Sequence, residues 1–63
     1  MNEKLIEFVE YQLSLCEGHM GHYCELFMHN AYGAVLWESM RTGADLEEFW
    51  ESYKEKFEKK MWR

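Results

Sequence analysis

Proline is absent from this 63-residue sequence, glycine occurs four times and cysteine twice. No Ser/Gly-rich tract, low-complexity segment or internal repeat interrupts the chain, so we predict a single domain over residues 1–63 with no linker. The first residues, MNEKLIEF, are charged and lack the apolar run of a signal peptide or a membrane span. We therefore expect a cytoplasmic protein that has no membrane partner, with Cys16 and Cys24 as free thiols.

Positive charge is also scarce, because 7 Lys and Arg residues face 12 Asp and Glu residues, a net charge of −5. This balance argues against a nucleic-acid partner, since basic side chains that neutralise phosphates supply most of that affinity. The bases are concentrated in residues 52–63, where they fit the solvated side of a last helix and its C-terminal dipole. A DNA-reading helix-turn-helix is excluded, because the second helix is too apolar to be a recognition helix.

The spacing of apolar residues predicts an all-α fold of three helices, at about residues 3–17, 22–41 and 45–61. Asn2 is the expected N-cap of the first helix, and Gly18 is the expected residue that ends it. Gly43 is the expected C-cap of the second helix, and Asp45 with Glu48 forms a capping box before the third. Two apolar stripes are expected in the core: Leu5, Phe8, Val9, Leu13 and Cys16 on the first helix, and Leu46, Phe49, Trp50, Tyr53, Phe57 and Met61 on the third.

The second helix is the most apolar segment, and we expect it to be central and mostly buried. One apolar stripe consists of Tyr23, Leu26, Phe27, Ala31, Ala34 and Trp37. A second stripe begins polar at His22, Glu25 and His29 and becomes apolar at Tyr32, Gly33, Leu36 and Met40. A helix that is apolar on two sides must be covered on two sides, and the flanking helices are short.

Eleven aromatic residues exceed what the interior of so small a bundle can hold. We therefore predict that the bundle is completed by homodimerisation, with another protein as a further candidate partner. Gly33, with Ala31 and Ala34 nearby, predicts a flat place where a neighbouring helix approaches closely. The residues expected at the interface are Tyr32, Gly33, Leu36, Met40 and Trp62.

Potential metal ligands cluster around the first turn, and they are Cys16, His19, His22, Cys24, Glu25 and His29. Cysteine and histidine are zinc ligands, but the two cysteines are eight residues apart and do not match the short spacings of zinc motifs. His22 and His29 lie about 10.5 Å apart along a helix, too far to share one ion. Cys16 beside His19 would be a weak candidate nucleophile, because a free cysteine on an apolar stripe usually packs as a small hydrophobic residue.

Two functions follow as hypotheses. The first is a non-catalytic interaction or regulatory module that acts as a homodimer, with no cofactor. The alternative is a small metal-binding or thiol-bearing protein that uses the Cys/His cluster.

Overall fold

The computed structural model describes residues 2–17 and 21–61, which comprise three α-helices and the short segments that flank them, and so the expected all-α three-helix bundle is confirmed. The helices are α1 (Glu3–Leu15), α2 (Gly21–Thr42) and α3 (Glu47–Met61). Gly18, the expected end of the first helix, lies outside the described residues. Four of the helix ends differ from the predicted ones by one or two residues. The N–H of Cys16 donates to the carbonyl of Leu13, three residues back, so α1 ends earlier than predicted, and a turn precedes α3.

Side-chain caps fix two of the helix starts. The side chain of Asn2 accepts a hydrogen bond of 2.9 Å from the backbone N–H of Lys4, as an N-cap does. At α3, the carboxylate of Asp45 accepts a hydrogen bond of 3.0 Å from the backbone N–H of Glu47. Each cap satisfies a backbone donor that the first turn of a helix leaves without an intrahelical partner.

The turn between α2 and α3 is held by local hydrogen bonds. Gly43 has a φ of +76°, and its N–H donates to the carbonyl of Ser39 at 2.8 Å, so the left-handed glycine cap is present. The hydroxyl of Ser39 donates to the carbonyl of Ala44 at 2.6 Å. The N–H of Ala44 donates to the hydroxyl of Thr42 at 3.2 Å. This turn reverses the chain, and α3 returns along α2.

Contacts between helices give their directions. Gln12 bonds Asn30 at 3.4 Å and Cys16 bonds Cys24, so α1 and α2 run antiparallel. On the third pair, Glu10 interacts with Tyr53, and Glu17 forms an ion pair with Lys60. The second pair lies seven residues after the first on both segments, with Glu17 two residues past the end of α1, so α1 and α3 run parallel. α2 therefore forms an antiparallel hairpin with α1 and another with α3. The long dimension of the bundle, 34 Å, is about the length of α2.

The buried core comes from one side of each helix, and its residues are Leu5, Val9, Cys16, Cys24, Ala31, Val35, Leu46, Trp50, Tyr53 and Phe57. Phe49 and Met61 are partly buried against it, so the stripe predicted on α3 is confirmed. On α1 the expectation for Phe8 is wrong, because 39% of it is exposed while Gln12 is buried and hydrogen-bonded to Asn30. The buried row on α1 consists of Leu5, Val9 and Gln12 and continues to Cys16, and Phe8 lies at its edge.

The expectation that α2 is mostly buried is also wrong. Its buried residues are Cys24, Ala31, Val35 and Glu38, whereas Tyr23, Leu26 and Trp37 are exposed. The core side of α2 is thus rotated away from the stripe that apolar spacing alone favoured. Glu38 can lie on the core side because its carboxylate accepts hydrogen bonds of 2.6 and 3.1 Å from the guanidinium of Arg41.

Candidate functional site

The side of α2 that faces away from α1 and α3 carries a row of exposed apolar residues, which we call the outer face: Leu26, Gly33, Leu36, Trp37 and Met40. Positions 26, 33 and 40 repeat every seven residues, and position 36 falls between the last two. This alternation of three and four is the spacing by which one helix meets another in a coiled coil. Among the described residues, no acidic or basic side chain other than His29 interrupts this row between Leu26 and Met40.

The exposure of the outer face is large for apolar side chains. Trp37 is 67% exposed, Met40 71%, Leu26 56% and Leu36 46%. Gly33 lies at the centre of the row, and a Cβ built on it would meet no atom within 4 Å. No helix in the described part of this chain packs on Gly33, so the close approach expected there would have to come from another molecule.

The predicted interface residues are divided between two surfaces. Gly33, Leu36 and Met40 lie on the outer face. Tyr32 is 44% exposed but is turned toward α3, where its ring centroid lies 5.1 Å from that of Trp50. Trp62 lies outside the described residues. Sequence reasoning missed Leu26 and Trp37, which it had assigned to a buried stripe.

Beside the outer face, α2 and α3 enclose an open groove of about 490 Å³. Its floor is formed by the buried side chains of Val35, Leu46 and Trp50, and Tyr32 and Leu36 line its α2 side. Acidic side chains of the turn and of α3 lie along its other side, and they are Asp45, Glu47 and Glu51. No sequence pattern indicated this groove, because its residues come together only when α2 and α3 pair.

The structure separates the potential metal ligands of the first turn into two groups. Cys16 and Cys24 are buried, each only 1% exposed, between α1 and the start of α2. His22, Glu25 and His29 are exposed, and the imidazole Nε2 of His29 lies 3.8 Å from the Glu25 carboxylate. His19 lies outside the described residues. Within residues 2–17 and 21–61, no three His, Cys, Asp or Glu side chains are grouped so that they could hold a metal ion.

The two thiols are neighbours in an apolar setting. The Cys24 thiol donates to the backbone carbonyl of Cys16 at 3.5 Å, and the Cys16 thiol donates to the carbonyl of Gln12 at 3.8 Å. Burial raises the pKa of Cys16 from 9.0 to about 12, and the adjacent Cys24 adds to the rise while Lys60 opposes it. A thiol with such a pKa is protonated at neutral pH and is therefore a poor nucleophile and metal ligand.

None of the three helices is, in its described residues, both long and apolar enough to cross a membrane. Comparison with models of protein families, with curated proteins and with solved structures finds no match in any of the three.

Proposed function

We propose that this protein is a small, non-catalytic interaction or regulatory module that acts as a homodimer in the cytoplasm, with the outer face of α2 as the main contact between its two copies. The observation that carries the proposal is the row from Leu26 to Met40, in which four large apolar side chains are 46% to 71% exposed and His29 is the one ionisable side chain among its described residues. Monomeric proteins rarely leave so continuous an apolar row in water, and such rows typically mark interaction surfaces.

The dimensions of α2 suit this role. A standard interface covers about 800 Å² on each partner, which is about one sixth of the 4618 Å² of surface on this chain. A helix of 22 residues is about 33 Å long, so one of its sides can supply much of that area. Two copies crossing at Gly33 would bring their backbones close together, because glycine has no side chain to hold them apart.

A second copy suits the outer face better than a charged ligand does. In a two-fold arrangement centred on Gly33, Leu26 of one copy meets the region of Met40 in the other, so that apolar groups cover apolar groups. The exposed acids of each chain lie on other sides of the helices, and the net charge of −5 therefore weakens association without preventing it.

Native mass spectrometry of the untagged protein over a concentration series tests this proposal, since it reports the number of subunits and any bound metal together. We expect a metal-free dimer whose population increases with concentration. A protein that stays monomeric up to about 1 mM would refute the proposal, because a Kd above that value corresponds to less than about 4 kcal/mol of association free energy. A monomer with one bound metal ion would instead favour the metal-binding alternative.

A further inference from the structure

The groove between α2 and α3 adjoins the outer face, with which it shares Leu36, and it has an apolar floor and an acidic side. Trp50 and Leu46 are each 9% exposed at its floor, and Val35 is 3% exposed. Their packing fixes the shape of the floor, while Tyr32 remains 44% exposed above it. The groove is therefore a preformed apolar concavity, of a volume typical of binding sites.

Charge along the groove is strongly one-sided. Asp45, Glu47 and Glu51 line it, against Lys54 as the one Lys or Arg side chain among the described lining residues, which leaves an excess of two negative charges. Glu47 and Glu51 are one helical turn apart on the same side of α3 and are exposed. A ligand that buries apolar groups in this groove would bring its own flanks next to these carboxylates, so basic flanks are favoured and acidic flanks are repelled.

The arrangement of helices indicates the shape of the occupant. On α3, Tyr53 interacts with Glu10 of α1 and Lys60 with Glu17, just past the end of α1. The 100° helical repeat places Tyr53 and Lys60 on roughly the opposite side of α3 from Glu47 and Glu51. Thus α1 fills one of the two grooves of the α2/α3 pair, and the other is open. A helix laid in the open groove would complete a four-helix bundle.

From these features we infer that the α2/α3 groove binds an amphipathic helix with basic flanks, supplied by a different protein. A second copy of this chain is a poor match, since it carries a net charge of −5. Two of its bases near the end of α3 have partners within the chain, Lys59 with Glu55 at 3.4 Å and Lys60 with Glu17, and the Lys56 ammonium lies 4.8 Å from the centre of the Tyr53 ring. This partner surface goes beyond the proposed homodimer and does not depend on it.

The test uses two synthetic helical peptides of roughly 18 residues, or five turns, one built from Leu and Lys at helical spacing and the other from Leu and Glu at the same positions. Each is titrated into ¹⁵N-labelled full-length protein, and binding is followed by amide chemical shifts. We expect the Leu/Lys peptide to bind and to shift the amides of groove residues such as Leu46 and Glu51. The Leu/Glu peptide should bind at least about tenfold more weakly, because it places like charges together.

Matched variants separate the groove from the general acidity of the chain. Glu47→Gln combined with Glu51→Gln should lower the affinity of the protein for the Leu/Lys peptide about fivefold at low salt. In 0.5 M NaCl this difference in affinity should largely disappear. Glu3→Gln combined with Glu7→Gln deletes the same charge from exposed positions of α1 and should change the affinity less than twofold.

Three outcomes would overturn the inference: no binding of the Leu/Lys peptide, equal losses in the two double variants, or shifts confined to the outer face around Gly33 and Met40. The subunit count measured in the same samples reports on the homodimer separately. A monomer that binds the peptide in the groove would thus reject only the proposed dimer, and a dimer that does not bind it would reject only the groove.

Discussion

Trp37→Ala is the substitution that tests the outer face most directly. The indole is 67% exposed, so of the about 200 Å² that an aromatic side chain can bury, about 130 Å² is free for a second copy. At about 25 cal/mol per Å², covering it would contribute up to about 3 kcal/mol from each chain. Since both copies lose the side chain together and an interface covers only part of it, we expect a loss of about 3 kcal/mol in total, or roughly a 100-fold rise in Kd.

Sedimentation equilibrium of wild type and variant over a shared concentration range measures this change. Tyr11→Ala is the matched control, since Tyr11 is an aromatic residue 59% exposed on α1, away from α2's outer face. It should change the Kd less than threefold. Neither substitution removes a core side chain, so urea unfolding at concentrations where the monomer dominates should agree with wild type to within about 0.5 kcal/mol.

A Trp37→Ala dimer as tight as that of the wild type, or an equal weakening of the dimer by Tyr11→Ala, would show that the outer face is not the contact between the two copies. A drop in monomer stability for Trp37→Ala would show that the indole packs within the chain. Sedimentation equilibrium thus measures association and urea unfolding measures folding stability, on the same pair of variants.

Further predictions concern two glycines and the buried thiols. Gly33→Ala should raise the free energy of unfolding of the monomer by about 0.5–1 kcal/mol, as measured by urea unfolding, because alanine favours a helix and the added methyl group meets nothing within the chain. The same methyl group stands in the proposed contact, so sedimentation should show a weaker dimer. A dimer that is not weakened would show that no helix approaches Gly33 closely. Gly43→Ala, with its φ of +76°, should instead destabilise the monomer by about 1–2 kcal/mol in the same urea assay, and an unchanged value would argue against the left-handed cap. At pH 8 the Cys16 thiol of the native protein should react with Ellman's reagent at least about 100-fold more slowly than in urea, since a rise in its pKa to about 12 depletes the thiolate. Rapid labelling of Cys16 in the native protein would favour the thiol-bearing alternative. Because the pKa of Cys16 is raised in the folded state, its contribution to the free energy of unfolding is fully present below pH 9 and is lost as pH rises from 9 toward 12. The urea midpoint of the wild type should therefore fall over this range, and that of Cys16→Ala should fall less.

The third helix could be predicted from the sequence because its charges fix its orientation. Lys and Glu residues occupy its solvent side, so Trp50, Tyr53 and Phe57 can only face inward. The preceding turn was predictable as well, since Gly43 suits a left-handed backbone position, and the start of α3 was predicted to within two residues from Asp45, whose carboxylate accepts the N–H of Glu47.

The second helix could not be oriented in this way, because it is apolar on most sides and its few charged residues do not mark solvent. Glu38 lies at the core, where the guanidinium of Arg41 compensates it, and Trp37 lies outside. A hydrophobic period gives the spacing of a stripe, but when several stripes are available only packing against α1 and α3 selects one. Gln12 was missed for a similar reason, since its partner Asn30 is 18 residues away.

The candidate surfaces were likewise predictable only in part. Gly33, Leu36 and Met40 were predicted at an interface from an excess of apolar residues that a small bundle cannot cover, and they are exposed. The groove was not predicted, because Tyr32 and Trp50 meet only through the pairing of two helices. Composition can thus indicate that apolar side chains remain exposed, whereas only the fold shows which residues form each exposed surface.

Charge distinguishes the two surfaces that α2 helps to form. The outer face is nearly free of charge, so its best partner is another apolar row, and a second copy offers one at no electrostatic penalty along the contact itself. The groove begins only a fraction of a turn away around α2, yet Glu47 and Glu51 beside it would repel a second acidic chain. Because Leu36 lies at the border of both, a large residue there such as Arg would disturb the two sites together, while changes at Met40 or at Glu51 act on one alone. Selective loss at these two positions is therefore the observation that would separate self-association from the capture of a basic helix.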